Sequence, residues 1–190
     1  RVSRGLGDVY KRQTSNRVNK ELDLNFYIMN SHHTVAIGTW EGDKQQSIEY
    51  NSSIAVGIDC PRAKLRVSIL LDTIQEYQVR YIFSDEEISE AVNEAGLIIG
   101  ARGIAYEGVL QRKPVIVVGE YGFGGLVTPD TLHEQYNNYF RGKINGIKAE
   151  YFSLERLEEE IRRGFALTFQ ELQMMSNQTI RFLHNISVSY

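Results

Sequence analysis

Four short runs, apolar at nearly every position, constrain this chain most: SSIAVGID (52–59), VRYIF (79–83), LIIGA (97–101) and PVIVVG (114–119). A strand with one wet face alternates polar and apolar side chains, whereas a run apolar throughout must be covered on both faces. Helical patterns separate the runs. PRAKLRVSILLDTIQEYQ (61–78) places Leu65, Ile69, Leu70, Ile74 and Tyr77 at helical spacing, with Pro61 suited to the first turn. SDEEISEAVNEAG (84–96) offers Ser84 as N-cap, early acids and Gly96 as a stop, and GIAYEGVLQRK reads as a short helix. Such alternation predicts a parallel sheet between layers of helices.

NFYIMNS (25–31) and HTVAIGTW (33–40) are further strand-like segments ahead of this region. Beyond it come the glycine-rich EYGFGGLVT (120–128), a helix over 130–140 and the polar stretch RGKINGIKAE (141–150). The charged helix SLERLEEEIRRGF (153–165) and an amphipathic helix over 168–184 follow. The expected fold is α/β: an open parallel Rossmann-like sheet with helices on both faces and a helical C-terminal tail.

Lys and Arg number 21 against 24 Asp and Glu, net −3, so the basic excess of a general nucleic-acid binder is missing and no nucleic-acid partner is expected. Cys60 is the only cysteine, which excludes an internal disulfide and a cysteine-based zinc site; no metal is expected. No apolar run approaches transmembrane length and no signal-peptide pattern is present. The N-x-[ST] triplets at Asn51, Asn177 and Asn185 read as chance, and a cytoplasmic location is expected.

The charge is uneven: residues 1–13 carry net +3, leaving −6 for the rest. Within them, SRGLGDVYKRQ (3–13) holds a lone GxG with no strand before it and no periodic helix after it, context that a phosphate loop needs. The same stretch is similar, residue for residue, to one reading frame of a transposase-based sequencing adapter. Residues 1–13 are therefore set aside as a non-native, adapter-derived segment. The native chain is expected to start near Thr14 and to be truncated there. Residues 14–32 are then the remnant of a missing N-terminal domain or linker, and 33–190 the sheet domain.

Ligands of open α/β sheets sit outside the carboxyl ends of the strands, so strand-end loops carry the candidates. Ala101-Arg102-Gly103-Ile104 runs from a strand directly into a helix, whose free N–H groups and dipole favour an anion. Gly103 lets a phosphate approach the backbone and Arg102 adds a charge-assisted bond; the same residues also suit a plain tight turn with a solvated arginine. Glu107, on the first turns of that helix, is placed either to accept ribose hydroxyls or to stand as a surface acid. Glu120, Tyr121, Gly122, Gly124 and Gly125 belong to EYGFGGLVT, where so many glycines serve close backbone approach or a tight turn. Glu120 suits a hydroxyl or a developing cation and is the catalytic candidate; Tyr121 and Phe123 suit stacking on a ring or covering the core. GTWEGDK (38–44) ends in Lys44, a phosphate partner or an exposed turn lysine. His32 and His33 read as strand-edge residues with no catalytic role.

LIIGARGIAYEGVLQRKPVIVVGEYGFGGLVT (97–128) resembles the nucleotide-binding half of GT-B glycosyltransferases. The resemblance covers about residues 33–185 and is specific across 97–128. It implies a strand, a glycine turn and a helix with E-x6-P-V around a UDP- or GDP-linked sugar, which is a substrate; no cofactor is implied. Glu107 with Pro114 and Val115 matches the ribose-binding glutamate and the strand after it. Arg102 and Gly103, with Ile104 beside them, fall where the diphosphate is bound, and Glu120 to Gly125 where the sugar is met. GTWEGDK is similar to a first-strand turn ending in a phosphate-binding lysine, here Lys44. Two positions depart: the usual arginine of that turn is absent, with Trp40 nearby, and the family's other glutamate falls at Ile99.

The resemblance implies a nucleotide-sugar-binding domain of a bacterial-type enzyme that transfers a hexosyl group to a glycan or lipid-linked acceptor, inactive as this fragment. The acceptor would be held by the missing N-terminal domain, and peripheral membrane association would belong to the full-length protein. The last helix of such enzymes crosses back to the other domain, which an apolar face over Leu167, Phe169, Leu172, Met175, Ile180 and Leu183 would serve; core packing accounts for it equally. A nucleotide-sugar 2-epimerase and a stand-alone nucleotide-binding module are the alternatives.

Overall fold

The structure, a computed structural model, describes residues 52–144, 146–148 and 150–188, with side chains through Leu183. Lys44, the expected strands 25–31 and 33–40, and segments 1–13 and 14–32 lie outside the described residues. Five strands form one sheet in the order β2-β1-β3-β4-β5: β1 Ser53–Gly57, β2 Gln78–Tyr81, β3 Leu97–Gly100, β4 Val115–Gly119 and β5 Gly122–Leu126. The first four are parallel, as their uniformly apolar runs require; β3 and β4 are buried at every position. The glycine-rich run, expected as a loop, is instead β5, antiparallel to β4. Only the two residues Glu120 and Tyr121 separate it from β4, and so short a link joins antiparallel strands alone. Gly125 pairs with Val117 and Phe123 with Val118, so Gly124 is an extra residue that bulges the ladder.

Helices cover both faces, as expected. Adjacent residues of β3 point to opposite sides. A β carbon at Gly108 of α3 (Gly103–Leu110) would lie 3.1 Å from Ile98, and one at Gly164 of α5 (Leu154–Phe165) would lie 2.8 Å from Leu97. The first face holds α3 between α2 (Ile88–Glu94) and α6 (Phe169–Val188). On the second, α1 (Pro61–Thr73) is tied to the start of α5, where Arg66 donates to the Phe152 carbonyl at 2.8 Å and 3.0 Å. Tyr77 also stacks on Phe165 at 5.7 Å. Core side chains such as Ile54, Ile98, Ile99 and Ile116 are fully buried, each contributing about 1.5–3 kcal/mol.

Local signals explain most boundaries. Ser153 caps α5 by accepting the Arg156 N–H at 3.2 Å. At the head of α6, Thr168 accepts the Glu171 N–H while the Glu171 carboxylate accepts the Thr168 N–H at 2.8 Å, a reciprocal capping box. Expected helix 84–96 divides into a 3₁₀ turn over Asp85–Glu87 and α2; Ser84 makes no side-chain cap, and Glu87 accepts the Phe83 N–H instead. Helix α1 ends at Thr73 rather than 78 and turns Ala63, Val67, Leu70 and Leu71 inward, leaving Leu65 and Ile69 exposed. Lys113 donates to the Asn93 and Ala95 carbonyls at the end of α2, and its partial burial lowers the ammonium pKa.

Helix α6 buries part of its apolar face inside this domain, while Phe169, Ile180 and Leu183 stay half-buried. Leu172, Met175 and Thr179 are buried, Ser176 donates to the Leu110 carbonyl, and Phe182 stacks on Tyr136 of α4 (Leu132–Asn137) at 4.3 Å.

Candidate functional site

In a 2-1-3-4-5 sheet the chain leaves β1 in both directions, and the crevice at the carboxyl ends of β1 and β3 is where such sheets bind ligands. Three chain segments meet there: Ile58–Pro61 after β1, Ala101–Gly103 after β3 and Glu120–Tyr121 after β4. The strand ends are drawn tightly together. Ala101 donates its N–H to the Gly57 carbonyl at 3.3 Å, and a β carbon at Gly100 would lie 2.5 Å from that same oxygen. Ile104, 3% exposed, plugs the space beneath Gly57 and Gly100, so only its backbone can meet a ligand.

Arg102 turns the chain from β3 into α3 at φ 55°, ψ −126°. That conformation suits glycine and costs a side-chain-bearing residue about 1–3 kcal/mol, so the surroundings must hold it. The Arg102 N–H donates to the Phe140 carbonyl at 3.0 Å, and the Arg102 carbonyl accepts the Tyr106 N–H as the first helical bond. Its guanidinium makes no cap on α3 and reaches across the strand ends. There it donates to Glu120 Oε2 at 3.1 Å and lies 3.7 Å from Asp59 Oδ2.

Glu120 accepts a second cation, Arg141 Nη1, at 2.9 Å on Oε1. The Arg141 side chain is 6% exposed, against 36% for Arg102 and 40% for Glu120. A sharp corner brings it there: Tyr139, Phe140 and Gly142 all have positive φ, and the Arg141 carbonyl accepts the Tyr121 N–H at 2.9 Å. The corner also explains Gly122. Gly122 and Gly142 face each other at φ 110° and 106°, and a β carbon on Gly122 would collide with the Ile147 carbonyl, which accepts the Phe123 N–H. Here the close approach that the glycines permit is to the chain's own backbone.

The structure thus brings Arg102, Gly103, the Ile104 backbone, Glu120 and Tyr121 to one crevice, with Gly122 at its rim. Gly124 and Gly125 are carried away from that edge along β5, Gly125 opposite Val117. Glu107 lies one turn into α3, 4% exposed, and accepts Gln111 Nε2 at 2.7 Å, so it is neither a surface acid nor open to solvent. Asp59 and Arg141 were missed from sequence. Asp59 closes an apolar run just before Pro61, a strand-end signal; Arg141 opens a stretch that reads as a polar connection.

Tyr106 packs on Phe140 behind the corner at 4.5 Å, and burial pushes its phenol pKa up. Among the described residues no group of three or more His, Cys, Asp or Glu is placed to hold a metal ion, and no helix is long and apolar enough to cross a membrane. Comparison of the chain with protein-family models, curated proteins and solved structures gave no match. Chemically, the crevice offers two guanidiniums, a helix start and two carboxylates: the means to hold and orient an anion.

Proposed function

We propose that residues 33–190 form the donor-binding domain of a glycosyltransferase, which moves a hexosyl group from a UDP- or GDP-linked sugar to a glycan or lipid-linked acceptor. The observation that carries this reading is Arg102, held in a glycine-like conformation at the head of α3 and at the switch point of the sheet. A diphosphate fits such a place, since helix N–H groups and a guanidinium stabilise the charge that grows on a leaving nucleoside diphosphate. Glu120 and Tyr121, on the neighbouring loop, are the groups for the sugar. Lys44 adds a phosphate contact on the strength of the resemblance alone. The ribose role of Glu107 has the same basis, and its burial with Gln111 supports a structural role instead.

Titration calorimetry with UDP, GDP and their sugars tests the proposal: micromolar to millimolar binding, weakened tenfold or more in Arg102→Ala, is expected. A folded sample that binds none of them overturns it. A stand-alone nucleotide-binding module is the second reading, favoured by α6 burying part of its apolar face, Leu172 and Met175, within the domain. Transfer or hydrolysis of a bound nucleotide-sugar by the full-length protein separates the two.

A further inference from the structure

Glu120 sits between two guanidiniums that differ sharply in freedom. Its Oε1 is held by Arg141, buried and fixed by the Tyr139–Gly142 corner, and its Oε2 by Arg102, at the rim of the crevice. A carboxylate oxygen and a phosphoryl oxygen ask the same of a guanidinium: short, charge-assisted N–H···O bonds. The side chain of Glu120 therefore occupies, on Arg102, the seat an anionic ligand would take. We propose that Glu120 is a built-in competitor of the site's anion, a phosphate or diphosphate group. The incoming phosphoryl oxygen takes Arg102 from Glu120, while Arg141 retains the displaced carboxylate at the crevice edge.

The asymmetry of burial sets which bond yields. Arg141 is buried, so parting it from Glu120 takes a carboxylate away from a charge that cannot turn to water, whereas Arg102 and Glu120 are both more than a third exposed and exchange partners at little cost. Arg141 acts as a positioning residue: it keeps the carboxylate within reach of Arg102 and so limits how tightly a weak anion is held. Asp59, 72% exposed and 3.7 Å from Arg102, biases the same guanidinium more weakly. The inference rests on the anion-binding part of the reading above, and not on the nucleotide or the sugar.

The test is calorimetric titration of the whole chain with inorganic pyrophosphate at low ionic strength, in wild type, Glu120→Gln, Glu120→Ala, Arg102→Gln and the Arg102→Gln/Glu120→Gln double variant. Both Glu120 variants take a carboxylate away from the buried Arg141, so a lower melting temperature is expected, less so for Glu120→Gln, which keeps an oxygen to accept from Arg141. Wild-type circular dichroism at the titration temperature shows that each is folded. Removing the competitor should tighten pyrophosphate about threefold to fivefold, the range an exposed ion pair supports. Arg102→Gln should weaken binding tenfold or more, and in the double variant the gain from Glu120→Gln should vanish. Unchanged or weaker binding in both Glu120 variants overturns the proposal, as does a failure of every protein to bind pyrophosphate. UDP and GDP are titrated in parallel. If they bind without responding to Glu120→Gln, the competitor is wrong and the nucleotide reading survives. If pyrophosphate responds as expected but UDP and GDP bind no tighter than it does, the competitor stands and the nucleotide reading falls.

Discussion

Replacing Glu160 tests how a buried charge closes the edge of this sheet. Its carboxylate, 1% exposed on α5, accepts the Leu126 N–H of β5 at 3.2 Å and pairs with Arg156 at 2.6 Å and Arg163 at 3.2 Å. In Glu160→Ala the Leu126 N–H stays buried and loses its acceptor, a penalty of about 1–3 kcal/mol. The ion pairs add less, because the two arginine side chains are 51% and 46% exposed and can turn to water; such pairs are worth about 0–1 kcal/mol each. The expected total is about 1–5 kcal/mol. Glu160→Gln keeps a carbonyl oxygen for Leu126 and gives up only the charge, for about 1 kcal/mol. Urea unfolding followed by circular dichroism reads both values. Added salt should shrink the cost of Gln and leave the gap between Ala and Gln unchanged. Equal costs for the two variants would refute the backbone-capping role, and an Ala cost under about 0.5 kcal/mol would refute the burial argument altogether.

Other outcomes follow from the same geometry. Gly100→Ala would put a methyl group 2.5 Å from the Gly57 carbonyl and 2.6 Å from Ile104, so it should cost about 3 kcal/mol or prevent folding, read as a fall in melting temperature. Thr168→Ala should cost about 1 kcal/mol by removing half of the α6 capping box. The Thr168 N–H and hydroxyl hold the Glu171 carboxyl below its ordinary 4.5, so this contribution is full above that pH and fades as pH falls through the lower folded value. The gap between variant and wild type should therefore narrow in acid; a gap constant from pH 7 to 2 would contradict it. Burial pushes the Tyr136 phenol up to about 12 against 10.0 unfolded. The unfolded chain then loses its proton first, and the stability Tyr136 supplies is complete below pH 10 and lost as pH rises from there towards 12. Tyr136→Phe, which forfeits the hydrogen bond to Thr179, should cost about 1 kcal/mol at pH 7 and progressively less above pH 10.

The parallel strands were legible because burial on both faces leaves no polar position in LIIG or VIVVG, and α5 because Ser153 and the flanking acids mark its start. β5 was not, since Gly122, Gly124 and Gly125 argue against a strand by propensity. What makes them fit is the close approach of Gly142 and Ile147 to Gly122, of Gly142 to Gly124 and of Glu160 to Gly125, contacts that nothing local encodes. Arg141 eluded the sequence for the same reason: it reaches Glu120, 21 positions away, only through the positive φ values of Tyr139 and Phe140. Glu107 was placed on the right helix, but its burial arises from α3 lying under both α2 and α6. Arg102 is the intermediate case, with its place at a strand end readable and its ties to Phe140 and Glu120 not.

An unbroken file of aromatic rings leads from the crevice to the C-terminal helix: Tyr106 to Phe140, Phe140 to Tyr136 and Tyr136 to Phe182, with centroids 4.5, 5.8 and 4.3 Å apart. Phe140 is also the residue whose carbonyl holds the Arg102 N–H. A chain cut before Thr168 would therefore not be a neatly trimmed domain. It would lack the ring that backs Tyr136 and the helix packed on α3, so any minimal fragment meant to keep the crevice in shape has to carry α6 with it.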